Sequence, residues 1–247
     1  MPIIVENLSH IYSKGTPFEA QALRAINLAV GEGEFIGIIG HTGSGKSTLA
    51  ESMCGLQKIQ VGNVHIDGLA LAGDYDKKQL RGKIGMVFQY PEQQLFEETV
   101  LADIRFGPKN QGLDEEQQLE RARWAMALMG LDQSFEERSP VNLSGGEKRR
   151  VAMAGVLAMH PKYLLLDEPT VGLDPQGVED MLQVVTRLHE LDGMAIVMIS
   201  HSMNVVAELA DQIAVMHEGQ IKYFGKPEDI FTHHEELISI GLDIPDM

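Results

Sequence analysis

Apolar and polar residues follow two different patterns along the chain. Residues 3–30 alternate between the two types around a Gly15-Thr16-Pro17 turn, which predicts an antiparallel β region. Short, mostly apolar segments bounded by turn residues are typical of strands. Such segments lie at 34–39, 62–68, 83–88, 163–167, 195–200 and 213–216. The pattern therefore predicts a β-rich amino-terminal part followed by separate strands.

Helical spacing occupies the segments between these strands. Apolar residues between positions 114 and 129 recur on one helix face, and Asp114 followed by Gln117 forms a capping pattern. Further helices are predicted over 46–53, 146–159, 175–191, 227–231 and 235–240. Because strands and helices alternate on either side of a helical insertion at about 90–160, we expect an α/β fold with a mostly parallel sheet. We expect one domain over 1–247, ending in a short helical tail at about 226–247.

The charge balance excludes several classes of function. The 20 lysine and arginine residues against 36 aspartate and glutamate residues give a net charge of -16. Such a chain is unsuited to a sequence-independent grip on nucleic acid or to unaided docking on an anionic membrane. The single cysteine, Cys54, fits a reducing compartment, and the sequence has neither a targeting pattern nor an apolar run of the roughly 20 residues that span a bilayer. We expect a soluble intracellular protein.

A glycine-rich loop joins the predicted strand at 34–39 to the helix at 46–53. Its glycines let backbone N–H groups converge on phosphate oxygens, and the helix amino terminus adds partial positive charge. In this pattern Lys46 reaches the β- and γ-phosphates, and the Ser47 hydroxyl binds Mg²⁺. A glycine turn that merely closes a strand is the alternative, but the strand before and the helix after favour a phosphate site. The predicted ligands are Gly40, His41, Thr42, Gly43, Ser44, Gly45, Lys46, Ser47 and Thr48.

Two adjacent carboxylates end the predicted strand at 163–167. Asp167 would hold the water shell of Mg²⁺, and Glu168 would orient and deprotonate the water that attacks the γ-phosphate. Read alone, the pair is more typical of a solvated acidic turn. Its combination with the phosphate loop favours the catalytic interpretation.

A second loop rich in serine and glycine precedes the helix predicted at 146–159. Ser144, Gly145 and Gly146 would again offer backbone N–H groups to an anion, although these residue types are often simple caps at such a junction. A single nucleotide cannot easily use both loops. Two copies of the site that face each other would use both.

Together, these motifs resemble the ATPase subunits of ABC transporters over essentially the whole chain. Residues 40–48 match the Walker A loop, 164–168 the Walker B strand and 143–147 the family signature. Further matches are Gln89 for the Q-loop, Asp174 for the D-loop, His201 for the switch histidine and Tyr12 for the aromatic residue that stacks on adenine. The resemblance implies an ABC-type P-loop NTPase core with an amino-terminal antiparallel β subdomain and a helical insertion subdomain.

The resemblance also implies a head-to-tail dimer that buries two ATP molecules between its subunits. Each ATP would contact the Walker A loop of one subunit and the signature loop, Ser144, Gly145, Gly146 and Glu147, of the other. Gln89 and His201 would respond to the γ-phosphate, and the Mg²⁺ ligands would be Ser47, Gln89 and Asp167. Read alone, His201 is more typical of a strand-end histidine with a local hydrogen bond, and Tyr12 would equally suit packing in the β region.

A narrower resemblance, to energy-coupling factor (ECF) transporter ATPases of the second, A-prime type, is carried by residues 15–19, 89–112 and 149–157. It implies three partners: a second ATPase subunit, a transmembrane coupling subunit and a small substrate-binding membrane subunit. It further implies uptake of a vitamin or related micronutrient, and a peripheral position on the cytoplasmic face of the cell membrane. Glu147 and Lys148 depart from the Gln and the Met or Lys common in that group, and Val171-Gly172 from the Ser-Ala of many ABC proteins.

Three other functions are alternatives at this point. They are an ATPase of another ABC importer class, for metal ions or amino acids, a soluble ABC ATPase outside transport, and a purely structural nucleotide-binding subunit, which Glu168 and His201 disfavour. A further hypothesis concerns the acidic residues after the Q-loop, Glu92, Glu97, Glu98 and Asp103. Each one alone is typical of a solvated loop. We hypothesise that together they form a groove for an arginine-bearing helix of the membrane subunit.

Overall fold

The strands of the computed structural model, which describes residues 2–190 and 193–245, form two sheets. In chain order they are β1 (Ile3–Tyr12), β2 (Ala20–Val30), β3 (Phe35–Gly40), β4 (Val61–Ile66), β5 (Leu69–Ala70), β6 (Ile84–Val87), β7 (Tyr163–Asp167), β8 (Ala195–Ile199), β9 (Gln212–His217) and β10 (Gln220–Gly225).

The larger sheet has the strand order β10-β9-β3-β8-β7-β6 and is parallel except for β10, which is antiparallel to β9. It is buried on both faces: Phe35 and Ile39 of β3 join the apolar core on one face, and Ile36 and Ile38 join the core on the other. Burial on both faces explains why these strands read as unbroken apolar runs. The carboxyl ends of β3, β7 and β8 meet at one edge, the usual ligand-binding edge of such sheets.

The smaller sheet has the order β2-β1-β4-β5 and is antiparallel throughout. Its inward residues, among them Leu8, Ile26 and Val64, share one apolar core with Ile36 and Ile38 of the larger sheet. The turn between β1 and β2 is closed by a hydrogen bond of 3.1 Å from Thr16 N to Ser13 O. This packing holds the β1–β2 hairpin beside the end of β3.

Helices cover both faces of the larger sheet. Leu49 and Met53 belong to the core shared with the smaller sheet, whereas Ile104, Ala122, Ala154 and other helical residues fill the opposite core. No helix in the described part of the chain is long and apolar enough to cross a bilayer. The helices are α1 (Lys46–Met53), α2 (Lys77–Arg81), α3 (Val100–Gln111), α4 (Glu115–Leu128), α5 (Gly145–Leu157), α6 (Pro175–Glu190), α7 (Met203–Leu209), α8 (Pro227–Ile230) and α9 (His234–Ser239).

The predicted fold class is confirmed, with its antiparallel amino-terminal sheet, mostly parallel second sheet and helical region. The predicted strands and helices are found with bounds that differ by two residues at most. The helix predicted over 146–159 ends at Leu157, because the chain turns at His160, whose φ is 51°. The helix predicted over 175–191 covers Pro175–Glu190, and Leu191 lies outside the described residues.

Five of these strands and helices, β5, β10, α2, α3 and α7, were not predicted. Helix α3 is the longest of them, and its Gly107-Pro108 pair is typical of a break. Thr99 caps this helix by accepting a hydrogen bond of 3.2 Å from Ala102 N, and Val100 and Ile104 are fully buried in the core. Tertiary burial therefore outweighs the local signal of the glycine and proline.

A cluster of polar side chains joins the two sheets at the edge opposite the carboxyl ends of β3 and β7. Asp67, which follows β4, accepts hydrogen bonds from Tyr163 Oη at 2.8 Å, Lys162 Nζ at 3.1 Å and Lys83 Nζ at 3.3 Å. Burial alone raises the pKa of Asp67, but these donors outweigh it and lower the pKa from 3.8 to about 2. The ionised form is therefore favoured by folding.

Asp67→Asn is expected to lower the free energy of unfolding near neutral pH by about 2 kcal/mol. Because the folded pKa is depressed, this contribution is fully present above pH 3.8 and is lost as the pH falls toward about 2. Urea unfolding of wild type and variant between pH 7 and pH 3 measures the difference. The exposed Asp74→Asn serves as a control, and a difference for Asp67→Asn that is independent of pH would contradict the assignment.

Candidate active site

A cleft of about 460 Å³ opens at the carboxyl edge of the larger sheet. Strands β3, β7 and β8 end beside it, and the β1–β2 hairpin forms one wall. Its lining residues are Tyr12, Ala20, Gln21, Ala22, Thr42, Gly43, Gly45, Lys46, Ser47, Thr48, Gln89, Asp167, Glu168 and His201. Residues predicted from separate sequence motifs thus share one cavity.

The glycine-rich loop leads from β3 into α1. Gly45 is the residue before the helix, and its φ of 103° lies in the left-handed region that favours glycine. A Cβ at this position would lie 2.5 Å from the carbonyl oxygen of Ala22, so the neighbouring strand β2 also requires glycine. Gly45 supplies no side chain to cap α1, which leaves the first N–H groups of the helix for an anion.

Lys46 supplies a buried cation at the base of this loop. The residue is 7% exposed, and its Nζ donates hydrogen bonds of 2.7 Å to Gly40 O and 3.0 Å to His41 O. Burial lowers the pKa of Lys46, and the nearby carboxylates of Glu168 and Asp167 oppose that change. Ser44 Oγ is buried without a hydrogen-bond partner among the described residues, so the loop retains polar capacity for a ligand.

Glu168 lies immediately after β7 in an unusual backbone conformation. Its φ is 52°, a strained value for a residue with a Cβ, and its N–H donates to Ile199 O at 3.0 Å. Its Oε2 accepts a hydrogen bond of 3.3 Å from His201 N. Its Oε1 lies 3.1 Å from His201 Nε2 but has no hydrogen-bond partner among the described residues. Burial raises the pKa of Glu168, and His201 opposes the rise.

Asp167 and Ser47 present the kind of oxygen ligands that Mg²⁺ uses. Burial raises the pKa of Asp167, and the neighbouring Ser47 hydroxyl opposes the rise. The described residues hold no group of three or more His, Cys, Asp or Glu side chains that could bind a metal. Mg²⁺ typically binds through one or two protein oxygens, substrate phosphates and water, so the pair fits an ion that is bound together with a nucleotide.

Tyr12 lies at the mouth of the cleft, at the end of β1. The residue is 37% exposed, and its Oη lies 3.2 Å from Thr48 Oγ1. The centroids of the Tyr12 and His10 rings lie 4.6 Å apart in an edge-to-face arrangement. A partly exposed aromatic ring whose hydroxyl is held is suited to stacking with a planar base.

The signature loop lies outside this cleft. Ser144 and Glu147 cap α5 reciprocally: Glu147 N donates to Ser144 Oγ at 3.3 Å, and Ser144 N donates to Glu147 Oε2 at 2.7 Å. Gly145 and Gly146 are exposed, and a Cβ on either would meet no atom of the described residues within 4 Å. Nothing in the described fold therefore requires glycine at these two positions.

Asp174 also lies outside the cleft. Its Oδ1 accepts a hydrogen bond of 2.8 Å from Gly177 N in the first turn of α6, and the residue is exposed. Sequence reasoning missed the hairpin residues Ala20, Gln21 and Ala22, which line the cleft. These residues have small or polar side chains and belong to no recognisable motif. They reach the site only because β2 pairs with β1.

Comparisons with known proteins relate the whole chain to ABC transporter proteins. The pattern of the family described as ABC transporter matches residues 23–171. The energy-coupling factor transporter ATP-binding protein EcfA2 of Caldanaerobacter subterraneus subsp. tengcongensis is 49% identical over 246 residues, which are 99% of this chain and 86% of that protein. The protein of the same name from Clostridium perfringens is 50% identical over 250 residues, with coverage of 99% and 87%.

Solved structures extend the likeness to three dimensions. A dimeric ATP-binding cassette in a post-hydrolysis state, bound to ADP and phosphate, superposes with a TM-score of 0.82 at 31% identity, over 91% of this chain and 98% of that one. The cbiO1 protein of Clostridium perfringens, part of the ABC transporter complex cbiONQ, gives 0.80 at 36% identity, over 96% and 93%. Because the EcfA2 proteins are about 50% identical to this chain over almost its whole length, the chain shares their family and not only their fold. The chain belongs to the ABC transporter ATPases and, within them, to the energy-coupling factor transporter ATP-binding proteins.

Proposed function

We propose that this ABC ATPase drives an ECF-type importer by closing on ATP against a second ATPase subunit and opening after hydrolysis. One observation carries the proposal, namely the separation of the site into two parts. Lys46, Glu168 and His201 share the cleft, whereas Gly145 and Gly146 lie outside it with open space at their α-carbons. A second subunit that presents its own nucleotide to these glycines would make use of that space.

Within the cleft, each side chain takes the role that its position allows. Lys46 and the N–H groups at the start of α1 bind the β- and γ-phosphates, and Tyr12 stacks on adenine. Ser47 and Asp167 hold Mg²⁺, with Gln89 as a further ligand. When bound, the ion neutralises the charge that develops on the phosphate oxygens.

Glu168 acts as the general base. Its carboxylate is buried, which raises its pKa, and His201 opposes the rise. His201 N donates a hydrogen bond to Oε2, whereas Oε1 has no hydrogen-bond partner among the described residues and could accept one from the attacking water. His201 is 52% exposed at its side chain, so the ring is also open to the γ-phosphate. Both residues then respond to the presence of that phosphate, which links hydrolysis to dimer opening.

The names of the relatives support a set of partners. The cbiO1 structure is described as part of the ABC transporter complex cbiONQ, and the EcfA2 proteins are named as ATP-binding proteins of an energy-coupling factor transporter. We infer a second ATPase subunit, a transmembrane coupling subunit and a small substrate-binding membrane subunit. This chain then lies peripherally on the cytoplasmic face of the membrane, and the transported vitamin or related micronutrient binds a different polypeptide.

The segment after the Q-loop offers a docking surface for a membrane partner. This surface is smaller than the acidic groove that was expected from the sequence. Glu92 pairs with Arg149, and the Asp103 carboxylate accepts hydrogen bonds from Phe96 N and Glu97 N, so both are engaged within the fold. The surface that remains consists of the half-buried Glu97, the exposed Glu98 and Phe96, which is 64% exposed. It combines negative charge with an apolar anchor for a cationic helix.

Glu97→Lys with Glu98→Lys is expected to abolish co-purification with the membrane subunits, because like charges would then face a cationic helix. The measurement is affinity capture of the tagged chain with its transporter from detergent, alongside ATP binding by the isolated subunit. Nucleotide affinity is expected to stay within about twofold, since neither residue lines the cleft.

Glu116→Lys with Glu120→Lys makes the same change in charge on exposed positions of α4 and is the control. Capture of membrane subunits by the Glu97 and Glu98 variant at the level of this control would refute the docking surface. Failure of the wild-type chain to capture any membrane subunit would refute the importer function itself.

A further inference from the structure

Arg149 is a buried residue to which no sequence motif assigns a role. It lies in the second turn of α5, and only 5% of the residue is exposed. Its guanidinium donates three hydrogen bonds: Nη1 to Val171 O at 2.6 Å, Nη2 to Gln89 O at 3.3 Å and Nε to Glu92 Oε2 at 3.3 Å. One side chain thus connects three segments that are far apart in the sequence.

Each of these segments has its own place in the proposed mechanism. Helix α5 begins at the signature loop, which would bind the nucleotide of the opposite subunit. Gln89 lines the cleft of its own subunit. Val171 closes the turn after the proposed base, because Val171 N donates to Glu168 O at 3.2 Å.

The chemistry of the contacts selects arginine over lysine. A guanidinium presents five N–H donors in a planar fork, so it bonds to several fixed acceptors at once, whereas an ammonium is a compact point charge. Two of the three acceptors are backbone carbonyls, whose positions are set by the loops themselves. The carboxylate of Glu92 balances the buried charge.

We propose that Arg149 is a positioning residue that couples helix α5 to Gln89 and to the turn that begins at Glu168. The inference rests on the proposed function, because it takes the signature loop to act on the opposite ATP. When α5 docks on that ATP, Arg149 fixes the backbone of both catalytic loops in its own subunit. Displacement of catalytic groups by about 1 Å reduces rates by about 100-fold, so a fixed connection of this kind matters for turnover.

The test is Arg149→Lys in the full chain, assembled with its second ATPase subunit. We expect kcat for ATP hydrolysis to fall about 10- to 100-fold. The Kd for ATP, measured by fluorescent nucleotide displacement, is expected to change by less than about threefold, because Arg149 does not line the cleft. Lys148→Met removes a neighbouring cation on the same helix and is expected to leave both quantities unchanged.

Two results would overturn the proposal: an unchanged kcat in Arg149→Lys, or a joint loss of kcat, ATP affinity and thermal stability, which is the mark of a merely structural residue. If Arg149→Lys does not fold, Glu92→Gln is the second variant, because it removes the balancing carboxylate from a partly exposed position. The proposal then requires that kcat falls in Glu92→Gln while the Kd for ATP stays nearly unchanged. An inactive wild-type enzyme would instead refute the proposed function, so the two failures are distinguishable.

Discussion

Glu168→Gln is expected to reduce ATP turnover by about 100- to 10,000-fold while leaving ATP binding intact. The amide keeps the size of the side chain and can still hydrogen-bond to His201, but it cannot accept the proton of the attacking water. With hydrolysis blocked, the ATP-bound closed dimer should accumulate. Single-turnover hydrolysis and equilibrium binding of ATP measure the two effects separately.

The matched control is Glu208→Gln, which removes an exposed carboxylate on α7 at a distance from the cleft lining. Its turnover should equal that of the wild type. A Glu168→Gln enzyme that retained more than about a tenth of wild-type kcat would show that another group accepts the proton.

Gly146→Asp is expected to abolish turnover without destabilising the subunit. A Cβ at this position meets no atom of the described chain within 4 Å, so the fold tolerates the side chain. In the proposed dimer the new carboxylate would face the phosphates of the opposite ATP, and juxtaposed like charges cost several kcal/mol, which corresponds to at least about 100-fold in turnover. Thermal unfolding and steady-state hydrolysis test the two halves of this expectation.

Ala127→Asp adds the same charge to an exposed position of α4 and should leave turnover unaltered. Near-normal hydrolysis by Gly146→Asp would mean that the signature loop faces solvent in the working enzyme. A large loss of thermal stability would mean that the glycine serves the fold.

The sequence was most informative where function restricts residue type in a short segment. The loop from Gly40 to Thr48 and the pair Asp167 and Glu168 were predicted because phosphate and metal binding need particular residues at fixed spacing. The sheet was predicted because strands buried on both faces consist almost entirely of apolar residues. These features are local, so a linear pattern contains them.

Features that depend on tertiary contacts were not predictable in the same way. Helix α3 was missed because Gly107 and Pro108 indicate a break, whereas burial of Val100 and Ile104 decides the structure. Arg149 lies in the segment 149–157 that carries the narrower resemblance, but no motif assigns a role to its side chain, and its acceptors Gln89 and Val171 become neighbours only after folding. The expected acidic groove was too large because Glu92 and Asp103 are satisfied within the chain, which a charge count cannot reveal.

Sedimentation of Glu168→Gln with and without ATP and Mg²⁺, alone and together with the ATPase subunit that co-purifies with it, tests the shared nucleotide most directly. ATP should convert the variant from single subunits to pairs of ATPase subunits. A double variant that also carries Gly146→Asp should still bind ATP in its cleft but should not form pairs. ATP-dependent pairing that is indifferent to Gly146→Asp, or no pairing with ATP in either preparation, would contradict a nucleotide held between two subunits.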